Sequence, residues 1–268
     1  MDKNKSAYKL KGIPPIYCIN LDGEPERWVY METQFKYWEI ENYTRISAYD
    51  GREDDLSDII KGRYPDNMNS GEVGCVTSHL KAMKEFLKTD EPYAFIIEDD
   101  CDFNTVRHWN FSWRDIVSKI PYDFDVFQTA IINPNQLFIK MHKRFVNDFS
   151  TASYVITRYH AEKLVRLHCR GDKYKLDQGS KPRAVADDLI YNSGNTYAMP
   201  LLLYKIEMGS SIHGEHVEVF HRSSHEGLMQ FWENDSNKIQ NWNEIFDYDP
   251  YIGRLAPGQF PPSYEENK

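Results

Sequence analysis

Apolar and polar positions alternate along the chain in two periods, short apolar runs of strand length and stripes recurring every three to four residues. Ile13-Pro-Pro-Ile-Tyr-Cys-Ile-Asn-Leu reads as a first strand whose prolines sit at its start, where a missing N–H is tolerated. A helix is predicted from about Pro25 to Trp38, with proline in its first turn and Trp28, Met31, Phe35 and Trp38 on one face. Tyr43–Ser47 is a second strand, closed by Ala48-Tyr-Asp-Gly. The acidic, Gly/Pro/Asn-rich stretch from Arg52 to Asn69 reads as a surface excursion with a short helix around Leu56–Ile60, placed to act as a mobile lid. From Ser70 a strongly patterned helix carries Val76, Leu80, Met83 and Leu87 and sets Ser78 and His79 in its middle.

Further along, an apolar run at 93–97 must be a buried strand. A helix near Thr105–Lys119 follows, then strands around Phe124–Gln128, Gln136–Lys140 and Ser153–Thr157, and a helix from Tyr159 to His168. Residues 170–184 read as a Gly/Lys/Asp/Pro linker, followed by a short helix opening at Asp187-Asp188 and a last strand, Thr196–Tyr204. Such alternation predicts an α/β fold with a mixed, largely parallel central sheet flanked by helices. Residues 1–213 then form one domain, and the His/Trp/Asn/Pro-rich stretch 214–268 an irregular extension packed on or near its site.

Composition narrows the function. Of 268 residues 41% are hydrophobic, enough for a packed core. A net charge of −9, with no Lys/Arg run, argues against a nucleic-acid partner. The polar start, Met-Asp-Lys-Asn-Lys, lacks the apolar segment of a secretory signal, and no run is long enough for an integral membrane segment, so a cytoplasmic location is expected. Cys18, Cys75, Cys101 and Cys169 are scattered, without Cys-x-x-Cys spacing, and read as reduced thiols. In that compartment the acceptor-like Asn42-Tyr-Thr and Asn110-Phe-Ser are chance matches. No Gly-x-Gly-x-x-Gly or P-loop lysine pattern occurs, which argues against dinucleotide redox and ATPase chemistry.

The candidate chemistry starts where the buried run ends in Glu98, Asp99, Asp100 and Asp102. Ligands of open α/β sheets gather beyond the carboxyl ends of strands, and hard oxygen ligands there suit magnesium or manganese with phosphates. A solvated acidic loop would show the same residues. Asp187-Asp188 fits helix-terminus chemistry or a general base for an acceptor hydroxyl. Ser78-His79 is no nucleophile–base pair, since adjacent helical residues do not face each other; His79 is a core histidine or a donor in a site wall. Arg27 is placed to grip a phosphate or to lie on an exposed helix face. Among His213, His216, His221 and His225 the spacing and Gly214 favour one metal ligand, His213, over a zinc cage.

In this order the pieces resemble glycosyltransferase family 25, the lipooligosaccharide and procollagen galactosyltransferase family. The resemblance runs through Ile19-Asn-Leu with Arg27, Ala48-Tyr-Asp-Gly51, Gly71-Glu-Val-Gly-Cys-Val-Thr-Ser-His79, Ile96-Ile-Glu-Asp-Asp100, Ala152–Thr157 with Ala161 and Leu164, Asp187-Asp188, and Pro200 through Ser211-Ile212. It implies a GT-A-like nucleotide-sugar fold, manganese or magnesium, and inverting transfer of galactose or glucose from a UDP-hexose to a hydroxyl of a glycan or glycoprotein acceptor. Asp100 would be the principal metal ligand beside Glu98, Asp102 and His213. Asn20, Leu21, Arg27, Asp50, Ser78, His79, Glu98 and Asp99 would line the donor pocket, with Asp187 or Asp188 as base. The family usually carries two arginines after Ile-Asn-Leu; here Glu24 takes the first position and Arg27 the second. The alternatives are a catalytically silent nucleotide-sugar-binding relative and a nucleotide-sugar hydrolase.

Overall fold

A computed structural model describes residues 7–52, 55–133, 137–176, 183–208 and 221–250. Strand β1 (Ile16–Asn20) leads into helix α1 (Pro25–Trp38), which starts on proline and stops where Glu39 turns left-handed at φ 58°. Strand β2 (Tyr43–Ser47) follows, and then helix α2 (Ser70–Phe86). A reciprocal cap starts α2: Asn69 accepts from the Glu72 amide, and Glu72 accepts from the Asn69 amide. Strand β3 (Tyr93–Glu98) and the two-residue β4 (Cys101–Asp102) bracket the acidic turn.

The remaining elements are α3 (Trp113–Val117), β5 (Val126–Gln128), β6 (His142–Lys143), β7 (Ser153–Thr157), α4 (Arg158–His168), the hairpin β8 (Cys169–Arg170) with β9 (Lys173–Tyr174), α5 (Ala186–Tyr191), β10 (Thr196–Ala198), β11 (Leu203–Tyr204), α6 (Arg222–Gln230) and α7 (Asn243–Phe246). Seven strands form one sheet in the order β2-β1-β3-β7-β5-β10-β6. Strands β7 and β6 run against the other five. The sheet is therefore mixed and largely parallel, as the alternation of elements predicts.

Both faces of the sheet are covered, and strict alternation along the strands decides which side chain goes where. Ile16, Cys18, Phe95 and Ile97 join the core under α1, while Tyr17, Ile19, Ala94 and Ile96 join the core under α2, α4 and α5. Among the described residues no helix is long and apolar enough to cross a membrane.

Several sequence expectations are corrected. The helix expected at 105–119 is a 3-10 turn (Asn104–His108) and the short α3, separated where Trp109 and Phe111 turn inward to be buried. The strand expected at 136–140 does not form over the described residues 137–140, and the two-residue β6 follows them instead; residue 136 lies outside the described residues. The final strand breaks at Pro200, so β11 leaves the main sheet and pairs with β4 instead. The linker at 170–184 contains the β8–β9 hairpin, with 177–182 outside the described residues.

Residues 55–69 are anchored by buried Leu56, Ile60 and Met68, and the Lys61 amide donates to the Tyr174 carbonyl, which opposes a mobile lid. The stretch after residue 221, expected to be irregular, is helical and carries Trp232, Trp242 and Phe246 into the core with Trp109 and Phe111. Trp232 stacks on Trp242 at 5.8 Å between centroids, inclined by 7°. Trp232→Ala is expected to cost about 3–5 kcal/mol in urea unfolding, as for other buried aromatics; a surface-like loss below about 0.5 kcal/mol would mean that these helices are not part of the core.

Candidate active site

The carboxyl ends of β1 and β3, the N-terminal half of α2, the strand approach 150–152 and the first turn of α5 enclose a cavity of about 570 Å³. Asn20, Leu21, Arg27, Asp50, Ser78, His79, Glu98, Asp99, Asp100, Asp187 and Asp188 all line it. Residues 20 to 188 thus meet in one place, brought there by parallel strands that end on the same edge.

A backbone contact builds one wall. A Cβ on Gly51 would stand 1.8 Å from the Ser70 carbonyl oxygen, and one on Gly74 would stand 2.6 Å from the Tyr49 carbonyl oxygen. These glycines let the 48–51 loop lie directly on α2. Ser78 ties the same contact: its Oγ donates to the Gly74 carbonyl at 2.6 Å and accepts from the Tyr49 amide at 2.9 Å. Gly74→Ala is therefore expected to lower stability by about 1–3 kcal/mol, the usual cost of overpacking. An unchanged urea midpoint would show that the loop yields freely.

The acidic turn divides its work. Asp99 is satisfied, accepting from Asn20 Nδ2 at 2.7 Å and from Arg27 Nε at 2.7 Å, with Arg27 Nη2 at 2.5 Å. Asn20 also accepts from Arg45 at 2.9 Å, so both ends of its amide are engaged. Glu98 Oε1 accepts from Thr151 at 2.6 Å and faces His79 Nε2 at 3.3 Å. Burial alone would raise the Glu98 carboxyl, but His79, then Thr151 and Arg27, hold it below its ordinary range. Asp100 is different: its Oδ1 is buried without a partner among the described residues, and burial, then the charge of Glu98, pushes its carboxyl up to about 8.

Asp187 repeats that pattern across the cavity. Its Oδ1 is also buried without a hydrogen bond among the described residues, 3.9 Å from Arg144 Nη2. Burial lifts its carboxyl to about 6, with Arg144 and the Ser150 amide opposing and Glu98 adding to the rise. Asp188 instead accepts from Asn192 Nδ2 at 3.0 Å, one helical turn on.

Not every residue singled out in the sequence joins this site. Asp102 accepts from the amide and side chain of Asn104 and lines a second cavity with Lys205, Glu207 and His225. Strand β4 carries it there by pairing with β11, so it does not stand beside Asp100. His213 lies outside the described residues. Of the other histidines His221 lines the main cavity and His225 the second, which separates them.

Sequence reasoning missed Arg52, Arg144, Arg183 and Thr151. Arg52 pairs with Asp50 at 2.7 Å and lies 3.6 Å from Glu24, which brings a cation to the cavity rim near the position of the exchanged arginine. Arg183 pairs with Glu72. Arg144, Arg183 and Thr151 carry no local mark because their partners Asp187, Glu72 and Glu98 lie far away in sequence, and Arg52 pairs locally with Asp50 but reaches the rim only where the fold brings Glu24 near. Among the described residues, seven carboxylates and three arginines line the cavity.

The glycosyltransferase family 25 model, described as LPS biosynthesis protein, matches residues 13–178. No curated protein matches the chain. Among solved structures, the crystal structure of a nucleoside-diphosphate-sugar pyrophosphorylase from Vibrio cholerae RC9 is similar over 75% of this chain and 80% of that chain, at 12% identity and a TM-score of 0.35.

Proposed function

The chain belongs to glycosyltransferase family 25, and from that premise we propose a metal-dependent, inverting transfer of a hexose, galactose or glucose, from a UDP-sugar to a hydroxyl of a glycan or glycoprotein acceptor. The observation that carries this reading is a pair of buried carboxylate oxygens, Asp100 Oδ1 and Asp187 Oδ1, that share one cavity and have no hydrogen-bond partner among the described residues. Buried carboxylate oxygens left without partners are costly, and a ligand that satisfies them explains why they persist.

Asp100 and Glu98 fit a hard divalent cation, manganese or magnesium: the hydrogen bonds of Glu98 end on Oε1, and Asp100 Oδ1 has none. Seven carboxylates against three arginines would repel a diphosphate, so a cation has an electrostatic purpose here. When bound, it neutralises charge on the departing UDP.

The remaining steps fall to the chain's own residues. Ile19, Leu21 and Ala48 offer an apolar wall for the base, and Arg52 at the rim offers charge to the phosphates. Arg27 keeps Asp99 turned away from the cation site, which limits its own hold on phosphate. Asp187 takes the proton from the acceptor hydroxyl as the oxygen attacks the anomeric carbon opposite the leaving UDP. A single displacement inverts that carbon. The anomeric proton coupling of the product, read by NMR, should show inversion relative to the donor; retention would contradict a lone base at Asp187.

A further inference from the structure

We propose that Cys75, His79 and Glu98 form a second, softer cation site in the wall of the main cavity, a three-ligand zinc site whose fourth position opens toward the donor. The proposal goes beyond the transferase reading in its metal chemistry and rests on it only for the inhibition described below.

Cys75 and His79 stand four residues apart on α2, so both side chains leave the same helix face. Glu98 meets them from the end of β3, and the sulfur, nitrogen and carboxylate oxygen atoms all lie within 4.8 Å of one another. His79 Nε2 and Glu98 Oε1 are 3.3 Å apart. Two ligands bonded to a tetrahedral zinc at about 2.0–2.2 Å stand about 3.3–3.5 Å apart, so this edge is already at ligand spacing.

The surroundings are those of a ligand set. Tyr154 Oη is 2.9 Å from His79 Nδ1, which fixes the ring with Nε2 toward Glu98, and Thr151 orients Glu98 from the other side at 2.6 Å. His79 and Tyr154 are buried, and Cys75 is half-buried in the cavity wall. On ligation the thiol proton leaves to solvent and the thiolate, imidazole and carboxylate share the cation. Sulfur and nitrogen ligands favour zinc over manganese or magnesium, while the carboxylates near Asp100 favour the reverse. Because Glu98 belongs to both sets, zinc would withdraw a ligand from the harder cation and inhibit transfer.

Cobalt(II) serves as the spectroscopic probe. Titrating the full chain with it is expected to produce near-ultraviolet thiolate-to-cobalt absorption and tetrahedral visible bands that saturate at one equivalent and vanish when zinc is added. Cys75→Ser and His79→Gln, each checked for wild-type circular dichroism, should lose the sulfur band, and Asp100→Asn should keep it. No thiolate absorption in the wild type, or an unchanged band in either folded ligand variant, would overturn the site. In a parallel arm, zinc added over manganese should suppress UDP release. A protein that binds cobalt through Cys75 but transfers no sugar would keep this site and remove the transferase reading, so the two fail separately.

Discussion

Asp187→Asn is expected to lower turnover on the order of 10²–10⁴-fold, the usual loss when a general base is removed, with UDP binding little changed. The amide keeps the shape of the carboxylate and its place on α5 but cannot take a proton. Because burial lifts the Asp187 carboxyl to about 6, the wild-type rate should fall as pH drops through that value, where the base becomes protonated. The variant should lose that acid limb. Asp188→Asn should cost far less, since Asp188 is already engaged with Asn192. Rate–pH profiles of the three proteins decide the matter: equal losses at both positions, or an acid limb that survives in Asp187→Asn, would place the base elsewhere.

The second large effect is expected at Asp100. Asp100→Asn should abolish manganese-dependent UDP binding and most turnover while leaving the thermal midpoint of the metal-free protein unchanged or higher. Among the described residues Asp100 meets a cation only at Arg27, 3.7 Å away, and it is crowded by Glu98 and Asp99. With its carboxyl pushed up to about 8, Asp100 is largely neutral in the metal-free protein at neutral pH, so the amide changes little charge there, whereas breaking a buried pair would cost stability. Calorimetric titration of UDP with and without manganese reads the effect. A variant with the manganese dependence of the wild type would remove Asp100 from the metal site.

The placement of Glu98 and His79 in one cavity was legible in the sequence because both sit on elements with strong local signals. A buried strand that must stop, as β3 does at Glu98, puts its last carboxylates on the sheet edge, and a capped amphipathic helix such as α2 fixes the face of His79. Tyr-Asp-Gly51 and Gly74 were visible as pieces, but their joint purpose, a backbone contact between loop and helix, needed three dimensions. The direction of Asp102 was not legible: it depends on β11 pairing with β4 a hundred residues away, after Pro200 breaks the strand.

Asp187 and Asp188 are equal in sequence and separate only through what each touches, Arg144 on one side and Asn192 on the other. The helices after residue 221 escaped notice because their apolar positions are few, large aromatic side chains that find partners in Trp109 and Phe111 rather than a repeating stripe.

Metal-dependent transfer is read from one assay: UDP released from a panel of UDP-hexoses, with manganese or with a chelator, and with or without a glycan acceptor. The expected result is release from UDP-galactose or UDP-glucose that requires manganese and rises with added acceptor as the hexose appears on it. Release that ignores the chelator, release that passes the hexose only to water, or no release from any of the UDP-hexoses would contradict a metal-dependent transferase.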